Sequence, residues 1–344
     1  MIARALPVRL AVTTREERNR MMPRTNAFAW IAGIALVFCC AVAGAQPWPA
    51  RPVRIVVPYA PGGTIDIIAR QLGEELFRSL GRPLIVENRA GAGGVVGTEY
   101  VARQPADGYT ILLTTVSHTL TPSLQKLAFD AEHDFVPVIH IADSPQVLFR
   151  HPSFPAHSLH QLIRLAGSKP GSLSYAHGGP GSPANIAAEL LKSMARIDMV
   201  AIPYKGAGPV VTDVMAGQVA LGIGSLPAVQ AFLKAGRLHA IGVSTKQRTK
   251  SLPQVPTFEE QGVRGYEFNT WFGFLAGRGT PAAIVDRLAE TTDLILRRPE
   301  VRDSFSNQGA DPVGGGPGEF DRLLKAEFAR WPMALRNAGI KGDR

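Results

Sequence analysis

The sequence predicts an α/β protein of two lobes, each a mostly parallel sheet flanked by helices. Short runs of aliphatic and β-branched residues alternate with segments of helical periodicity, and this alternation occurs in two successive blocks. The chain has 344 residues, of which 45% are hydrophobic, enough for one large core or two medium ones. Its 35 Gly and 27 Pro indicate frequent turns between short elements.

Eight strands are predicted from short apolar runs that end at Gly, Pro or polar residues. They are Arg54–Tyr59, Leu84–Glu87, Thr110–Thr114, Leu173–Ala176, Met199–Pro203, Val219–Ile223, His239–Val243 and Phe272–Leu275. Seven helices are predicted from apolar residues that recur at spacings of three and four. They lie at 67–80, 95–103, 183–195, 208–216, 228–234, 281–297 and 319–337.

Two Pro-rich segments, Ser144–Pro155 and Ser251–Thr257, are the candidate connections between the lobes. The predicted organisation is therefore a leader at 1–45, the first part of lobe 1 at 46–147 and lobe 2 at 148–257. Residues 258–344 return to lobe 1 and end in a long helix.

The leader has the features of a cleavable secretory signal peptide. Arg20 and Arg24 precede an apolar run at 27–43, and an A-x-A site predicts cleavage after Ala45. The alternative is an uncleaved membrane anchor, because the run approaches the length that spans a bilayer. The only cysteines, at 39 and 40, lie in this run, so the mature chain would contain no thiol or disulfide. We expect a periplasmic protein.

The charge distribution argues against nucleic acid as a partner. Six Arg and two Glu in residues 1–45 supply +4 of the net charge of +9, and the remaining excess is scattered without a run of five basic residues. Nucleic-acid-binding proteins usually carry a clustered basic face. A mildly positive protein does attract small anions.

The loop Ala60–Asp66 follows the first predicted strand and opens the first predicted helix. Gly62 and Gly63 allow backbone N–H groups to approach a ligand closely, and the positive end of the helix dipole adds to the site. The pattern is neither a Walker motif nor G-x-G-x-x-G. We interpret the loop as a cradle for a carboxylate or phosphate. The alternative is a plain turn in which Thr64 or Asp66 caps the helix.

Further polar residues follow later strands. Ser182 stands before Pro183 in a second Gly-rich loop and is predicted to cap a helix, a role that is compatible with ligand binding. Thr115 and Ser225 are hydroxyl residues at strand ends and can donate to a carboxylate, although each alone is more often a turn residue.

The sequence contains no recognisable metal, cofactor or catalytic motif. The eight His form no H-E-x-x-H spacing, and the sequence shows no Cys/His cluster. It also shows no pair of carboxylates at a spacing typical of acid/base catalysis. The G-x-S-x-G spacing of a nucleophile elbow is absent around Ser182. A secreted hydrolase that uses Ser182 with His177 as its base stays open as an alternative to a binding protein.

Five motifs in order resemble one known family. They are IVVPYAPGG-x-x-D-x-x-AR from Ile55 to Arg70, VENR-x-GAGG from Val86, DGYT from Asp107, PYKG from Pro203 and GQV from Gly217. Together they resemble the Bug (TctC-like) extracytoplasmic receptors of tripartite tricarboxylate transporters, over residues 48–340.

This resemblance implies a two-lobed periplasmic binding protein fold of type II-like form, with two crossings, that closes around a small carboxylate by hinge motion. It implies no cofactor, no enzymatic activity, a monomer, and a membrane permease or a sensor kinase as partner. The implied ligand-binding residues are Ala60, Gly62, Gly63, Asp66 and Thr115 in lobe 1 and Ser182 and Ser225 in lobe 2. His177 and Asn185 stand where family members often have Ser and His, so we expect them to define a different specificity.

Overall fold

The computed structural model describes residues 48–340 and residue 342. The predicted signal peptide, its cleavage after Ala45 and both cysteines lie outside these residues. Among the helices that the structure describes, none is long and apolar enough to cross a membrane.

The described chain alternates strands and helices, as the sequence predicts. The first block contains β1 (Val53–Val57), α1 (Thr64–Leu80), β2 (Leu84–Asn88), α2 (Val95–Ala102), β3 (Thr110–Thr115), α3 (Ser117–Leu124) and β4 (Phe135–Arg150). The second block contains α4 (Leu159–Ser168), β5 (Ser174–His177), α5 (Pro183–Ala195), β6 (Val200–Pro203), α6 (Ala207–Met215), β7 (Leu221–Ser225), α7 (Leu226–Lys234) and β8 (His239–Val243). The last block contains β9 (Asn269–Gly277), α8 (Ala282–Leu296), α9 (Pro299–Asn307), β10 (Asp311–Pro312) and α10 (Pro317–Asn337).

The strands form one sheet in the order β2-β1-β3-β9-β4-β7-β5-β6, and β8 and β10 also pair with β4. In lobe 1, β1 pairs in parallel with β2 and β3, and in lobe 2, β5 pairs in parallel with β6 and β7. The strands that join these two parallel units, β9 and β4, are antiparallel to their neighbours. The two-lobed α/β architecture that the sequence predicts is confirmed.

The first connection between the lobes is a continuous strand, where the sequence suggested a Pro-rich crossover. β4 pairs with β9 as far as Pro145 and with β7 from Gln146 onward. Prolines and polar residues near this point prevented its prediction as a strand from the sequence, because the interior of a β-ladder normally excludes Pro. Two register shifts between β4 and β9 accommodate the irregularity.

The second connection between the lobes is the segment between β8 and β9, which contains the predicted crossover Ser251–Thr257. Leu252 and Val255, inside the predicted crossover Ser251–Thr257, pack in the lobe 2 core, and Thr257 bridges to β8. The chain returns to lobe 1 at Phe268, whose amide donates to the carbonyl oxygen of Ser244 over 2.8 Å. The lobe boundaries at 147 and 257 stay a prediction, since the sheet runs without a break between the lobes.

Helix α10 packs over both connections. Phe320 meets Trp271 of β9 edge to face with ring centroids 5.4 Å apart, and Trp331 lies 5.5 Å from Phe268. One apolar core runs through both lobes beneath it and includes Leu112 of β3 and Leu221 of β7. The lobes therefore share a core as well as a strand.

His118 in α3 makes the stability of the fold sensitive to acid. Its Nε2 donates to the carbonyl oxygen of Ala131 over 2.8 Å, its ring is 5% exposed, and burial lowers its pKa to about 4. Since an unfolded histidine titrates near 6.5, the unfolded chain takes up the proton first as the pH falls. Stability is therefore lost between about pH 6.5 and pH 4, by up to about 3 kcal/mol.

We expect His118→Gln to flatten this loss. Chemical denaturation at several pH values measures it, and exposed His160→Gln is the matched control that should keep the full decline. An unchanged pH slope in His118→Gln would assign the acid sensitivity to other groups.

Candidate functional site

The β1–α1 loop is open to solvent and leads directly into the N-terminus of α1. Ala60 and Gly62 are exposed, and Gly62 has φ +84°, a conformation that favours glycine. Gly63 is the N-cap residue, and no side chain caps the helix there. The backbone amides of Gly63, Thr64 and Ile65 donate to no described residue. Three N–H groups at the positive end of α1 are therefore available to an anion.

The buried side chain of Asp66 fixes the shape of this loop from inside the protein. Its carboxylate is 4% exposed and accepts hydrogen bonds from the Gly62 amide at 3.0 Å, from Asn88 Nδ2 at 2.9 Å and from two nitrogens of Arg70 at 3.0 Å each. Burial opposes ionisation, but the hydrogen bonds from Arg70, Gly62 and Asn88 outweigh it, so the pKa of Asp66 is lowered. The carboxylate is occupied inside the protein, and it positions the loop amides.

A hydrogen bond across the lobes joins this loop to lobe 2. Thr64 Oγ1, in the first turn of α1, lies 3.0 Å from Ser225 Oγ, at the junction of β7 and α7. Ser225 is the N-cap residue of α7 but makes no capping hydrogen bond with its side chain. The hydroxyl of Ser225 therefore faces the lobe 1 loop.

The β5–α5 loop of lobe 2 is braced in the same way as the β1–α1 loop. Asn185 Oδ1 accepts a hydrogen bond from the Gly181 amide at 3.1 Å, four residues earlier, as Asp66 does from Gly62. Each brace comes from the third residue of a helix and holds the residue before its N-cap. The two bracing side chains differ in charge, since Asp66 is a carboxylate and Asn185 is neutral. No acidic residue lies in the first turn of α5.

His177 supports this loop from inside the protein. Its ring is 2% exposed, and Nδ1 lies 3.0 Å from the carbonyl oxygen of Gly179 and 3.3 Å from the amide nitrogen of the same residue, so the ring is tied to the backbone of the loop. Burial lowers the pKa of His177, and the ring is neutral at neutral pH. Behind it, Tyr175 donates to Glu189 Oε1 over 2.6 Å. In this buried position His177 supports the loop without presenting a charge.

Ser182 has the capping role that the sequence predicts. Its hydroxyl oxygen accepts a hydrogen bond from the Asn185 amide at 3.2 Å, with Pro183 at the first helical position. Ser182 and His177 make no hydrogen bond with each other within the described chain.

The structure brings these residues together in two groups. Gly63, Thr64 and Ser225 meet across the lobes, whereas His177, Ser182 and Asn185 surround the loop 178–181. That loop approaches lobe 1 at α3, because a Cβ placed at Gly181 would lie 4.0 Å from Leu124 Cδ1. Thr115 is buried at the end of β3, and its hydroxyl has no partner among the described residues.

Three polar residues where the lobes join were missed by sequence reasoning. Gln146 of β4 lies opposite Ser225 of β7, and its Nε2 donates to Thr270 Oγ1 of β9 over 2.8 Å. Gln146 Oε1 and Asn269 Oδ1 are buried without a partner among the described residues. Their signal in the sequence was weak, because Gln146 follows Pro145 and resembles a loop residue, and Asn269 and Thr270 belong to no recognisable motif.

Comparison with known proteins identifies the family. The profile of the tripartite tricarboxylate transporter family receptor matches residues 68–340. The chain belongs to this family. Receptors of this family are periplasmic, and they are binding receptors rather than enzymes.

Two curated relatives align along most of the chain. Protein BugT of Bordetella pertussis is 37% identical over 328 residues, which cover 94% of this chain and 98% of BugT. A UPF0065 protein from the tcbD-tcbE intergenic region of a Pseudomonas species is 35% identical over 310 residues, or 89% of this chain and 92% of the relative.

Solved structures of similar proteins include two with bound acids. An adipate-bound protein of R. palustris is 38% identical with a TM-score of 0.82, covering 86% of this chain and 99% of that protein. MatC of Rhodopseudomonas palustris with bound malate is 30% identical with a TM-score of 0.78, covering 84% and 100%. The periplasmic binding protein BugD is 30% identical with a TM-score of 0.80, covering 86% and 100%. The two-lobed periplasmic binding protein fold implied by the sequence motifs is confirmed.

The brace at Asp66 predicts a sharp response to a neutral replacement. In Asp66→Asn, one side-chain oxygen is replaced by an amide donor that faces other donors, so a buried hydrogen bond is lost and the loop shifts. We expect a loss of about 1–3 kcal/mol in the free energy of unfolding. Urea denaturation measures it, with exposed Asp286→Asn as the control, expected within about 0.5 kcal/mol of the parent. Equal stability of both variants would contradict the bracing role.

Proposed function

We propose that this protein is a periplasmic receptor that captures a small dicarboxylate between its lobes and delivers it to a tripartite tricarboxylate-type permease. The observation that carries the proposal is the β1–α1 loop, where the amides of Gly63, Thr64 and Ile65 have no acceptor among the described residues and stand beside Ser225 of lobe 2. Fixed backbone donors suit a carboxylate because little conformational freedom is lost on binding. Both bound acids in the similar structures, adipate and malate, are dicarboxylates.

The proposed site divides its work between the lobes. The lobe 1 loop, held by Asp66, takes one carboxylate, and Thr115 at the end of β3 lines the same region. Ser225 and the β5–α5 loop, held by His177 and Asn185, complete the site when the lobes close. Hinge closure around a ligand is common in two-lobed receptors, with both lobes supplying polar groups.

The second carboxylate fits lobe 2 on electrostatic grounds. Helices α5, α6 and α7 begin just after the parallel strands of this lobe, and none has an acidic residue in its first turn. Ligands of open α/β sheets bind beyond the carboxyl ends of the strands, where these helices start. In lobe 1, the first turn of α1 contains Asp66, whose charge is paired with Arg70.

The arrangement supports binding without chemistry. A serine hydrolase needs a base within hydrogen-bond reach of its nucleophile. The Ser182 hydroxyl oxygen accepts from the Asn185 amide, and His177 Nδ1 is paired with the Gly179 backbone. We therefore propose a receptor that releases its ligand unchanged.

A thermal-shift screen with Gly62→Ala tests the proposed site. We expect adipate, malate or another short dicarboxylate to stabilise the purified protein by ~2.7 kcal/mol at about 100 times Kd, a shift of roughly 5 °C. In Gly62→Ala the left-handed backbone is strained and the loop amides move, so we expect the affinity to fall at least tenfold.

Gly236→Ala is the matched control, because Gly236 has φ +68° and open space around its Cα, as Gly62 does. Both variants should lose similar stability, about 1 kcal/mol, whereas the control should bind normally. If no carboxylic acid shifts the melting temperature, or if both variants bind equally well, the proposed site is wrong.

Asn185→Asp tests the place of the second carboxylate. The new charge lies in the first turn of α5, where it favours the helix but repels an anion. We expect unchanged or slightly higher stability without ligand, with dicarboxylate affinity at least tenfold lower and partly restored by salt. Isothermal titration measures the affinity, and exposed Asn337→Asp carries the same charge change at the end of α10. Unchanged affinity in Asn185→Asp would remove lobe 2 from carboxylate recognition.

A further inference from the structure

One corner of lobe 1 is hydrogen-bonded to both segments that join the lobes. This corner, Ser306–Ala310, contains the last residues of α9 and the turn that leads into β10. Ser144 Oγ of β4 donates to the carbonyl oxygen of Gly309 over 3.0 Å. Ser251 Oγ, in the connection from β8 to β9, donates to the carbonyl oxygen of Ser306 over 2.7 Å. Both connections are therefore tied to the same corner.

The corner also supports the first turns of α7 in lobe 2. A Cβ placed at Gly309 would lie 2.5 Å from Leu226 Cγ and 3.1 Å from Gln230 Oε1, so α7 packs directly on the Gly309 backbone. Leu226 is fully buried and belongs to the lobe 2 core, and Gln230 is 3% exposed. No hydrogen bond joins α7 to the corner within the described chain. The contact between α7 and the corner therefore consists of van der Waals packing.

Two hydrogen-bonded connections beside a purely packed contact would allow lobe 2 to rotate on lobe 1 while the two surfaces stay in contact. Closely packed surfaces without mutual hydrogen bonds can slide by small amounts, and shear of packed elements is one established form of domain closure. The hydroxyl groups of Ser144 and Ser251 keep the two connections in register beside the sliding contact.

We propose that Ser306–Ala310 is the bearing on which lobe 2 turns against lobe 1, and that Gly309 is a positioning residue that allows α7 to seat closely enough for the cleft to close. The proposal rests on the proposed function, since closure serves a ligand held between the lobes. Any side chain at Gly309 acts as a wedge against Leu226. The backbone there, at φ +81°, also favours glycine.

The test compares Gly309→Ala with the double variant Gly309→Ala/Leu226→Ala and with Gly236→Ala, which adds a methyl group at a similar φ in open space. Small-angle scattering measures the radius of gyration without ligand, and isothermal titration measures the Kd for adipate. We expect Gly309→Ala to have a larger radius and at least tenfold weaker adipate binding. The double variant removes the clash and should recover both values, while Gly236→Ala should match the parent.

A parent-like radius in Gly309→Ala overturns the bearing, and so does a defect that Leu226→Ala fails to relieve, since backbone strain would then be the cause. If the parent protein binds no carboxylic acid, the proposed function fails, and the radii alone still decide the bearing. Should Gly309→Ala not fold, hydrogen exchange on the parent protein decides. The amides of residues 308–310 and of Val229 and Gln230 should exchange slowly without ligand, and exchange as fast as that of the exposed loop 60–63 overturns the bearing.

Discussion

Strand β4 is the constraint on which the rest of the molecule depends, because it belongs to both parallel units of the sheet. Its neighbour changes from β9 to β7 between Pro145 and Gln146, so any rotation of one lobe against the other has to be absorbed around these residues. The Gln146 amide donates to Ser244 Oγ, and that hydroxyl donates to the carbonyl oxygen of Phe268, where the chain returns to lobe 1. The two connections are thus hydrogen-bonded to each other through one buried serine.

The two loops that we propose for ligand binding are each held by a side chain of the following helix, but the two side chains differ in charge. A Gly-rich loop that leaves amides free for a ligand has few internal contacts of its own, and it needs an outside group to fix its shape. In both lobes a side chain in the first turn of the following helix reaches back four residues to hold a glycine amide. Asp66 needs Arg70 and Asn88 to stabilise its buried charge, whereas Asn185 is neutral and has no such requirement.

The sequence was a good guide wherever one periodicity dominated. Strands β1, β3, β5 and β8 and helices α1, α5, α8 and α10 were predicted within a few residues, because each presents one buried face or a continuous apolar run. Strand β4 was missed because its 16 residues include two prolines and several polar groups. Helix α4 was also missed, although Ser158 caps it and Leu159, Leu162 and Ala166 form a buried face, so its signal was present. The Gly-rich loops and the capping role of Ser182 were predicted correctly. The hydrogen-bond partners of the other side chains were not predicted, since they include contacts between distant residues, such as Thr64 with Ser225, 161 residues apart.

The positions of Asp66, His177 and Asn185 also explain why motifs reveal the class of ligand more readily than its identity. All three side chains hold backbone groups of a loop, so their effect on a ligand passes through loop shape. Backbone amides recognise any carboxylate, and they carry no information about the rest of the molecule. Discrimination must then come from the distance and orientation between the lobe 1 amides and the 178–181 loop. In the proposed receptor, that distance is set by how far the lobes close around β4, a property of packing at the junction that no single loop sequence records.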